Sequence, residues 1–166
     1  MFQNGRKWYK VVDSKTKTMG RQIFIGQYEH NLEEKGRLSI PKKFRSSFSD
    51  GGILTRGLDG CLFLFPKKRW EEFIDKLSQA PLTKADARGF SRLITYGAVE
   101  VGLDKQGRIL APEFLKKSAG LRKEVIVAGA LGRVEIWDKQ RFVAYQEKIE
   151  QEGENLAEKL TELGIL

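Results

Sequence analysis

The chain has 166 residues, a formal net charge of +8, 40% hydrophobic residues, one cysteine and one histidine. This length suits one compact unit or two small modules that share a core. Membrane spans are excluded because no apolar run approaches the roughly 20 residues that a span needs. A single cysteine excludes an internal disulfide, and the lone His30 has no cysteine or histidine beside it. We therefore expect a reduced, cytoplasmic protein with no metal, no cofactor and no membrane partner.

The positive charge is unevenly distributed along the chain. Residues 1–22 contain six basic residues and one acid, and we interpret them as a cloning remnant, a misassigned start or a disordered arm that adds charge for binding. Residues 35–49 contain five basic residues and no acid, whereas residues 146–166 contain six acids and two lysines. The sequence therefore predicts a basic surface around residues 35–49 and an acidic C-terminal segment.

The first third of the chain predicts a strand, a turn, a returning strand, a short helix and a hairpin. Gly36 suits the turn, and Pro41 suits the first position of the helix. Cys61 begins an unbroken apolar run between turn residues, which is typical of a buried strand. The predicted bounds are 23–31, 37–40, 53–55 and 61–65 for the strands and 41–48 for the helix.

Two linking helices and a final helix are predicted further along. Apolar residues at helical spacing indicate a helix over residues 69–78, which Pro81 ends. Thr83 is predicted to cap a second helix that ends at Gly97. Asp138 is predicted to cap the final helix, which Gly153 interrupts. That helix carries an apolar heptad stripe, formed by Phe142, Ile149, Leu156 and Leu163.

One motif occurs twice, 71 positions apart. The first copy runs from Leu32 to Pro41 and the second from Leu103 to Pro112. Each has Leu, an acid, two variable residues, Gly, Arg and then Pro. The Gly permits a tight turn, and the acid lies four residues before the Arg, so the two side chains can pair and hold the Arg in one pose. The repeat continues at an offset of 72 through residues 53–65 and 125–137, so the chain is predicted to be a tandem repeat.

The quoted motifs resemble those of the MraZ family, whose members carry two SpoVT/AbrB-like modules in one chain. The matching stretches are 24–28, 35–41, 119–125 and 134–138, and the resemblance covers about residues 23–142. The family usually has Asp at the first position of its acid-x-x-x-Arg motif. Asp104 keeps that residue, whereas the first copy has Glu33.

The resemblance implies an α+β fold. Two tandem AbrB-like, swapped-hairpin β-modules would interleave about a pseudo-twofold axis into one barrel-like core, because a module of about 45 residues cannot bury enough surface alone. The expected division is a basic tail at 1–22, module 1 at 27–69, a helical linker at 70–97, module 2 at 98–141 and a C-terminal helix at 142–166. The resemblance also implies assembly of protomers into closed rings.

The predicted function is sequence-specific binding of double-stranded DNA. Arg37, oriented by Glu33 at a turn, is expected to donate two hydrogen bonds to guanine, with Lys35 beside it contacting a phosphate or a base. Phosphate contacts, which position the protein without specifying sequence, are expected from Lys42, Lys43 and Arg45. Arg108, oriented by Asp104, is the corresponding residue of the less basic second copy, which we expect to stabilise the fold or the ring.

The resemblance implies a transcriptional regulator, usually a repressor, that binds G-rich direct repeats ahead of the bacterial division and cell-wall gene cluster and associates with the nucleoid. No phosphate-binding glycine loop and no catalytic Ser/His/Asp or Cys/His set is found, so we expect neither an enzyme nor a small-molecule substrate. The alternative is a non-enzymatic, antitoxin-like protein-interaction module with the same AbrB fold.

Overall fold

The structure is a computed structural model that describes residues 22–166, so the interpretations of the basic tail fall almost entirely outside the described residues. Within this range the protein is a mixed α+β structure with eight strands and five α-helices. In chain order the elements are β1 (Gln27–Asn31), β2 (Arg37–Ser39), a 3-10 helix (Arg45–Phe48), β3 (Gly52–Arg56), β4 (Leu62–Pro66), α1 (Lys67–Ser78), α2 (Ala85–Tyr96), β5 (Val99–Val101), β6 (Arg108–Leu110), α3 (Glu113–Ser118), β7 (Glu124–Ala130), β8 (Arg133–Asp138), α4 (Lys139–Gln151) and α5 (Gly153–Glu162).

The strands of the two modules are interleaved in one antiparallel sheet. Its order is β1-β7-β8-β4-β3-β5, so each module places its first strand against a strand of the other. Exchanging β1–β4 for β5–β8 gives the same order in reverse, which is the pattern of a pseudo-twofold axis between β4 and β8. The interleaving inferred from the repeat is therefore present. The sheet is open, with β1 and β5 at its edges, so the barrel-like part of the expected core is not confirmed.

The first predicted pairing of each module is wrong. Strand β1 pairs with β7, and β2 pairs with β6 in a separate two-stranded sheet, so β1 and β2 form no common ladder. The turn between them is nevertheless closed, since the Glu33 amide donates to the Arg37 carbonyl at 3.0 Å and the Gly36 amide donates to the Glu33 carbonyl at 2.8 Å. The strands then diverge because β2 buries Leu38 opposite Ile109 of β6.

Two apolar clusters cover the two faces of the six-stranded sheet. Alternate residues of β4 point to opposite faces, so Leu62 and Leu64 join one cluster, while Phe63 and Phe65 join the other. Burial on both faces explains why β4 is a continuous apolar run. Cys61 is 3% exposed in the second cluster, which confirms its prediction as a small buried residue.

The helices follow the predictions in part. Residues 41–44 form turns, and only Arg45–Phe48 is helical, as a 3-10 helix rather than the predicted eight-residue helix. The Thr83 cap is wrong, because α2 begins at Ala85 after Lys84, which makes no side-chain capping bond. The Asp138 cap is confirmed, since its carboxylate accepts from the amides of Gln140 and Arg141.

The predicted interruption at Gly153 is also present, where α4 ends and α5 begins. The final segment is thus two helices rather than one. Across residues 22–166, no helix has both the length and the apolar composition that crossing a bilayer requires.

Candidate nucleic-acid interface

The two repeated turns are held together by the small sheet of β2 and β6. The Ile40 amide donates to the Gly107 carbonyl at 2.9 Å, and the equivalent Ala111 amide donates to the Gly36 carbonyl at 2.8 Å. Each glycine has a positive φ, +80° at Gly36 and +75° at Gly107, which only glycine adopts without strain. We call the residues 33–37 the first tip and the residues 104–108 the second tip. Each tip is thus fixed by a strand of the other module.

Asp104 organises the second tip. One carboxylate oxygen, Oδ1, accepts from the amides of Gln106 at 2.9 Å and Arg108 at 3.0 Å, and the other, Oδ2, accepts from Arg108 Nε at 2.8 Å. The hydrogen bond from the Arg108 amide is the main reason that the pKa of Asp104 lies below its usual value. The acid-to-arginine pairing inferred from the motif is therefore present in the second copy.

Glu33 behaves differently from Asp104. Its Oε1 accepts from Arg108 Nη1 at 2.9 Å, across 75 positions of sequence. Among residues 22–166, no ion pair joins Glu33 to Arg37, so the predicted orientation of Arg37 by Glu33 is wrong and Glu33 orients Arg108 instead. The physical reason is length: the extra methylene of Glu removes the carboxylate from its own turn and lets it reach the other module. Both motif acids thus converge on one guanidinium.

Four basic side chains at the first tip and in the turn after β2 are exposed: Lys35, Arg37, Lys42 and Lys43. Within the described part of the chain, no ion pair or side-chain hydrogen bond occupies any of them. They lie on one 3-residue strand and the turns that flank it, and the backbone bonds of the first tip fix that segment. The structure therefore presents free cationic groups on a rigid support.

Arg45 is used inside the fold. Its Nε donates to the Ile40 carbonyl at 2.8 Å, and its guanidinium packs against Gly107, where a Cβ would overlap it. Arg45 thereby supports the second tip from the first module. Its phosphate contact remains a prediction. Only the N–H groups of Arg45 that are not used in these two contacts could make it.

The second module lacks a matching basic surface. Glu113 and Phe114 stand where the first module has Lys42 and Lys43, and Lys116 stands in place of Arg45. Lys116 donates to Glu113 at 2.6 Å, and this bond lowers the pKa of Glu113. Arg108 keeps only 20% side-chain exposure beside its two carboxylates. The two tips are related by sequence, but only the first is followed by two exposed lysines, Lys42 and Lys43.

The crossed contact of Glu33 with Arg108 is the feature that sequence reasoning missed. A usable signal was the difference between the two copies, Glu33 against Asp104, since a longer acid rarely substitutes in a tight turn of fixed geometry. The contact itself could not be found, because it joins residues that only the pairing of β2 with β6 brings together.

Across residues 22–166, the other polar groups give no sign of a catalytic or metal centre. An open pocket of about 470 Å³ lies at the start of α4, but most of its charged side chains pair with one another, as Arg122 with Asp138 and Lys139 with Glu124. Among residues 22–166, no group of three His, Cys, Asp or Glu side chains is placed to hold a metal ion.

The protein consists of two tandem copies of one β-rich module, and each copy contacts the tip of the other. Its class is therefore that of an α+β protein built from an intramolecular tandem repeat. A family described as "MraZ protein, putative antitoxin-like" matches residues 23–93 and again residues 94–163. The chain therefore belongs to the MraZ family.

Curated relatives agree with this assignment. A Transcriptional regulator MraZ from Natranaerobius thermophilus is 44% identical over 143 residues, which are 86% of this chain and 100% of the relative. A protein of the same name from Heliobacterium modesticaldum is 45% identical, with the same coverage. One from Clostridium acetobutylicum is 47% identical over 143 residues, again 86% of this chain and 100% of the relative.

Proposed function

We propose that the protein is a DNA-binding transcriptional regulator that contacts DNA through the first tip and the turn after β2. The observation that carries the proposal is the exposed guanidinium of Arg37 on a turn that backbone bonds hold, with three exposed lysines around it and no ion-pair partner among the described residues 22–166. The names of the relatives support the same function.

The proposed contacts divide into two kinds. Arg37 donates two hydrogen bonds to the O6 and N7 of a guanine in the major groove, which its planar fork matches. Lys35, Lys42 and Lys43 neutralise phosphates, and so fix the orientation of the tip without reading sequence. We propose that none of these residues has a catalytic role or a small-molecule substrate. We also propose that the protein is cytoplasmic and associated with the nucleoid.

One such tip is insufficient for tight binding, since non-specific contacts give dissociation constants of roughly 10⁻⁴–10⁻⁶ M at physiological salt. We propose that protomers form a ring and present several first tips to one duplex, which raises the overall affinity through effective concentration. A ring of like-oriented tips suits direct repeats, so we propose repression through G-rich repeats in the promoter of the division and cell-wall genes. In this scheme residues 27–69 and 98–141 are the two modules, 70–97 is the linker between them and 142–166 extends from the second.

The proposal is tested by fluorescence anisotropy with a labelled duplex that carries G-rich direct repeats, titrated at about 50 mM and 200 mM salt. A duplex of equal length and composition with scrambled repeats is the control. We expect tighter binding to the repeats at both salt concentrations and a marked loss of affinity at the higher one. Equal binding to both duplexes would contradict sequence-specific regulation.

A second candidate is an antitoxin-like interaction module, which the description of the matching family favours. Helix α5 is exposed throughout and carries Leu156 and Leu160 on one face, with the exposed Leu163 directly after it, as a docking surface would. This candidate predicts no preference for the repeat duplex and little dependence on salt, so the same titration separates the two functions.

A further inference from the structure

We propose that Glu33 is a positioning residue that withholds Arg108 from DNA, so that each protomer reads DNA with Arg37 alone. This inference rests on the proposed function, because it concerns which of the two repeated arginines reaches the duplex. The two tips are related by sequence, and a symmetric protein of this design would offer two readers.

The contacts on Arg108 carry the inference. Asp104 Oδ2 accepts from Nε at 2.8 Å, and Glu33 Oε1 accepts from Nη1 at 2.9 Å. A guanidinium binds guanine or phosphate through two parallel N–H groups, either Nε with Nη2 or Nη1 with Nη2. Because one carboxylate holds Nε and the other holds Nη1, each of these two edges already has one of its donors occupied. Both modes of bidentate recognition must therefore compete with a carboxylate that already contacts the guanidinium.

Charge acts in the same direction. The Arg108 guanidinium lies between the carboxylates of Asp104 and Glu33, so a phosphate that approaches it meets two negative groups around one positive group. Lys105 is exposed in the same tip, but within residues 22–166 no ion pair joins it to this cluster. At the first tip no ion pair neutralises Arg37 within residues 22–166, and Lys35, Lys42 and Lys43 outnumber Glu34, the exposed acid beside it that makes no ion pair in this range. The asymmetry between the tips arises at Glu33. Asp104 accepts two hydrogen bonds from backbone amides of its own turn, so its carboxylate cannot contact the other tip.

Removal of the Glu33 carboxylate should therefore create a second reader. In Glu33→Gln, Asp104 still accepts from Nε, while Nη1 faces at most a neutral amide oxygen, which a phosphate displaces more readily than a carboxylate. Glu34→Gln is the matched control, since Glu34 is the adjacent exposed acid and makes no ion pair within the described range. It removes the same charge from the same tip without touching Arg108.

The first experiment needs no DNA. Intact protein is treated with phenylglyoxal, and the modification rates of individual arginines are followed by peptide mass spectrometry. We expect Arg108 to react several-fold more slowly than Arg37 in the unmodified sequence, to accelerate in Glu33→Gln and to stay slow in Glu34→Gln. Equal rates at Arg37 and Arg108 in the unmodified sequence would overturn the proposed clamp, whatever the protein binds.

The second experiment measures the salt dependence of binding to the repeat duplex. Each additional phosphate contact steepens the slope of log K against log salt by about 0.9. We expect that steepening in Glu33→Gln, and its disappearance in the double variant Glu33→Gln/Arg108→Ala. A slope that is unchanged in Glu33→Gln, or equally steep in the double variant, would overturn the inference.

Failure of every variant, including the unmodified protein, to distinguish the repeat duplex would overturn the proposed function and, with it, this account of Arg108 in DNA binding. The labelling result would then still report on the clamp itself. The two failures are therefore distinguishable.

Discussion

The amide of Ile40 donates a hydrogen bond of 2.9 Å to the carbonyl of Gly107, which belongs to the other module. Its counterpart, from Ala111 to Gly36, measures 2.8 Å. The backbone of each tip thus accepts a hydrogen bond from the first residue after the short strand of the other module. An isolated module would lack this bond at its tip, so each tip needs the other module for one of its backbone contacts.

Substitution of the tip glycines should reveal this dependence. A Cβ at Gly36 would lie 2.6 Å from the Ala111 carbonyl oxygen, whereas at Gly107 it would meet the Arg45 side chain, which can withdraw. Both positions also carry a positive φ, which costs a non-glycine residue about 1–2 kcal/mol. We therefore expect Gly107→Ala to lose about 1–2 kcal/mol of unfolding free energy and Gly36→Ala to lose more than about 2 kcal/mol.

Urea unfolding monitored by tryptophan fluorescence provides the measurement. Gly102→Ala is the control, because no atom lies within 4 Å of a Cβ at that exposed position. Its effect should stay within about 0.5 kcal/mol. A larger loss for Gly107→Ala than for Gly36→Ala would show that the backbone contact is not the limiting one.

The elements that sequence predicts well are those that local chemistry determines. Gly36 and Gly107 are needed for φ above zero, Asp138 is an acceptor placed to cap α4, and the apolar run after Cys61 can only be buried. The pairing of β1 with β7 is different, because it depends on contacts about 100 positions apart. Nothing in the residues of β1 alone distinguishes that strand partner from β2.

In the candidate site, too, local features could be predicted from the sequence, whereas features that depend on distant contacts could not. Exposure of Arg37 follows from its place in a motif flanked by basic residues, whereas its lack of a carboxylate partner follows from where Glu33 points. An acid and an arginine four residues apart are expected to pair within one turn, as Asp104 and Arg108 do. That expectation takes no account of contacts with the other module. The direction in which the Glu33 side chain points depends on the pairing of β2 with β6, so it could not be predicted from the motif alone.

Replacement of each tip arginine should separate their roles in DNA binding. Loss of a bidentate guanine contact costs about 1–3 kcal/mol, which is roughly a 5- to 150-fold loss of affinity. We expect that loss for Arg37→Ala and a much smaller one for Arg108→Ala, because the two carboxylates already hold the Arg108 guanidinium. Anisotropy titration with the repeat duplex measures both.

Arg37→Lys is the useful companion variant, since it keeps the charge and removes the planar fork. It should bind the scrambled duplex as the unmodified protein does and lose its preference for the repeats. Equal losses of affinity in Arg37→Ala and Arg108→Ala would contradict the asymmetry between the tips.

The Asp138 carboxylate should make folding stability depend on pH at the acid end. Arg122 donates to it at 2.7 and 3.0 Å, and the side chain of Asp138 is only 2% exposed. The Arg122 side-chain bond is the leading cause of a pKa below the usual 3.8. A depressed pKa means that this contribution is present above about pH 4 and disappears as the pH falls through the lower, folded-state value.

Asp138→Asn removes that contribution at every pH. Arg122 is 59% exposed, so solvent screens the pair, and we expect a loss of about 1–3 kcal/mol at pH 7, below the cost of breaking a fully buried pair. The difference between the two proteins in urea unfolding should be complete above about pH 4 and shrink between pH 4 and pH 3, since the carboxylate of the unfolded chain becomes protonated before that of the folded protein. A difference that is constant over this range would exclude the carboxylate as its source.

Cys61 should be chemically silent in the folded protein. Cys61 is 3% exposed directly before β4, where its Sγ contacts the Leu58 carbonyl at 3.2 Å, and burial is the main cause that raises the pKa of the thiol above its usual value. Alkylating reagents attack the thiolate, so both its scarcity and its inaccessibility slow the reaction. We expect iodoacetamide at pH 8 to label Cys61 at least about 1,000-fold more slowly than a cysteine-containing peptide, because labelling requires an opening close to global unfolding.

Addition of urea above the unfolding midpoint should restore the peptide rate, which serves as the internal control. Rapid labelling without urea would place β4 at an edge that opens locally, and would contradict its position between β3 and β8 at the centre of the sheet.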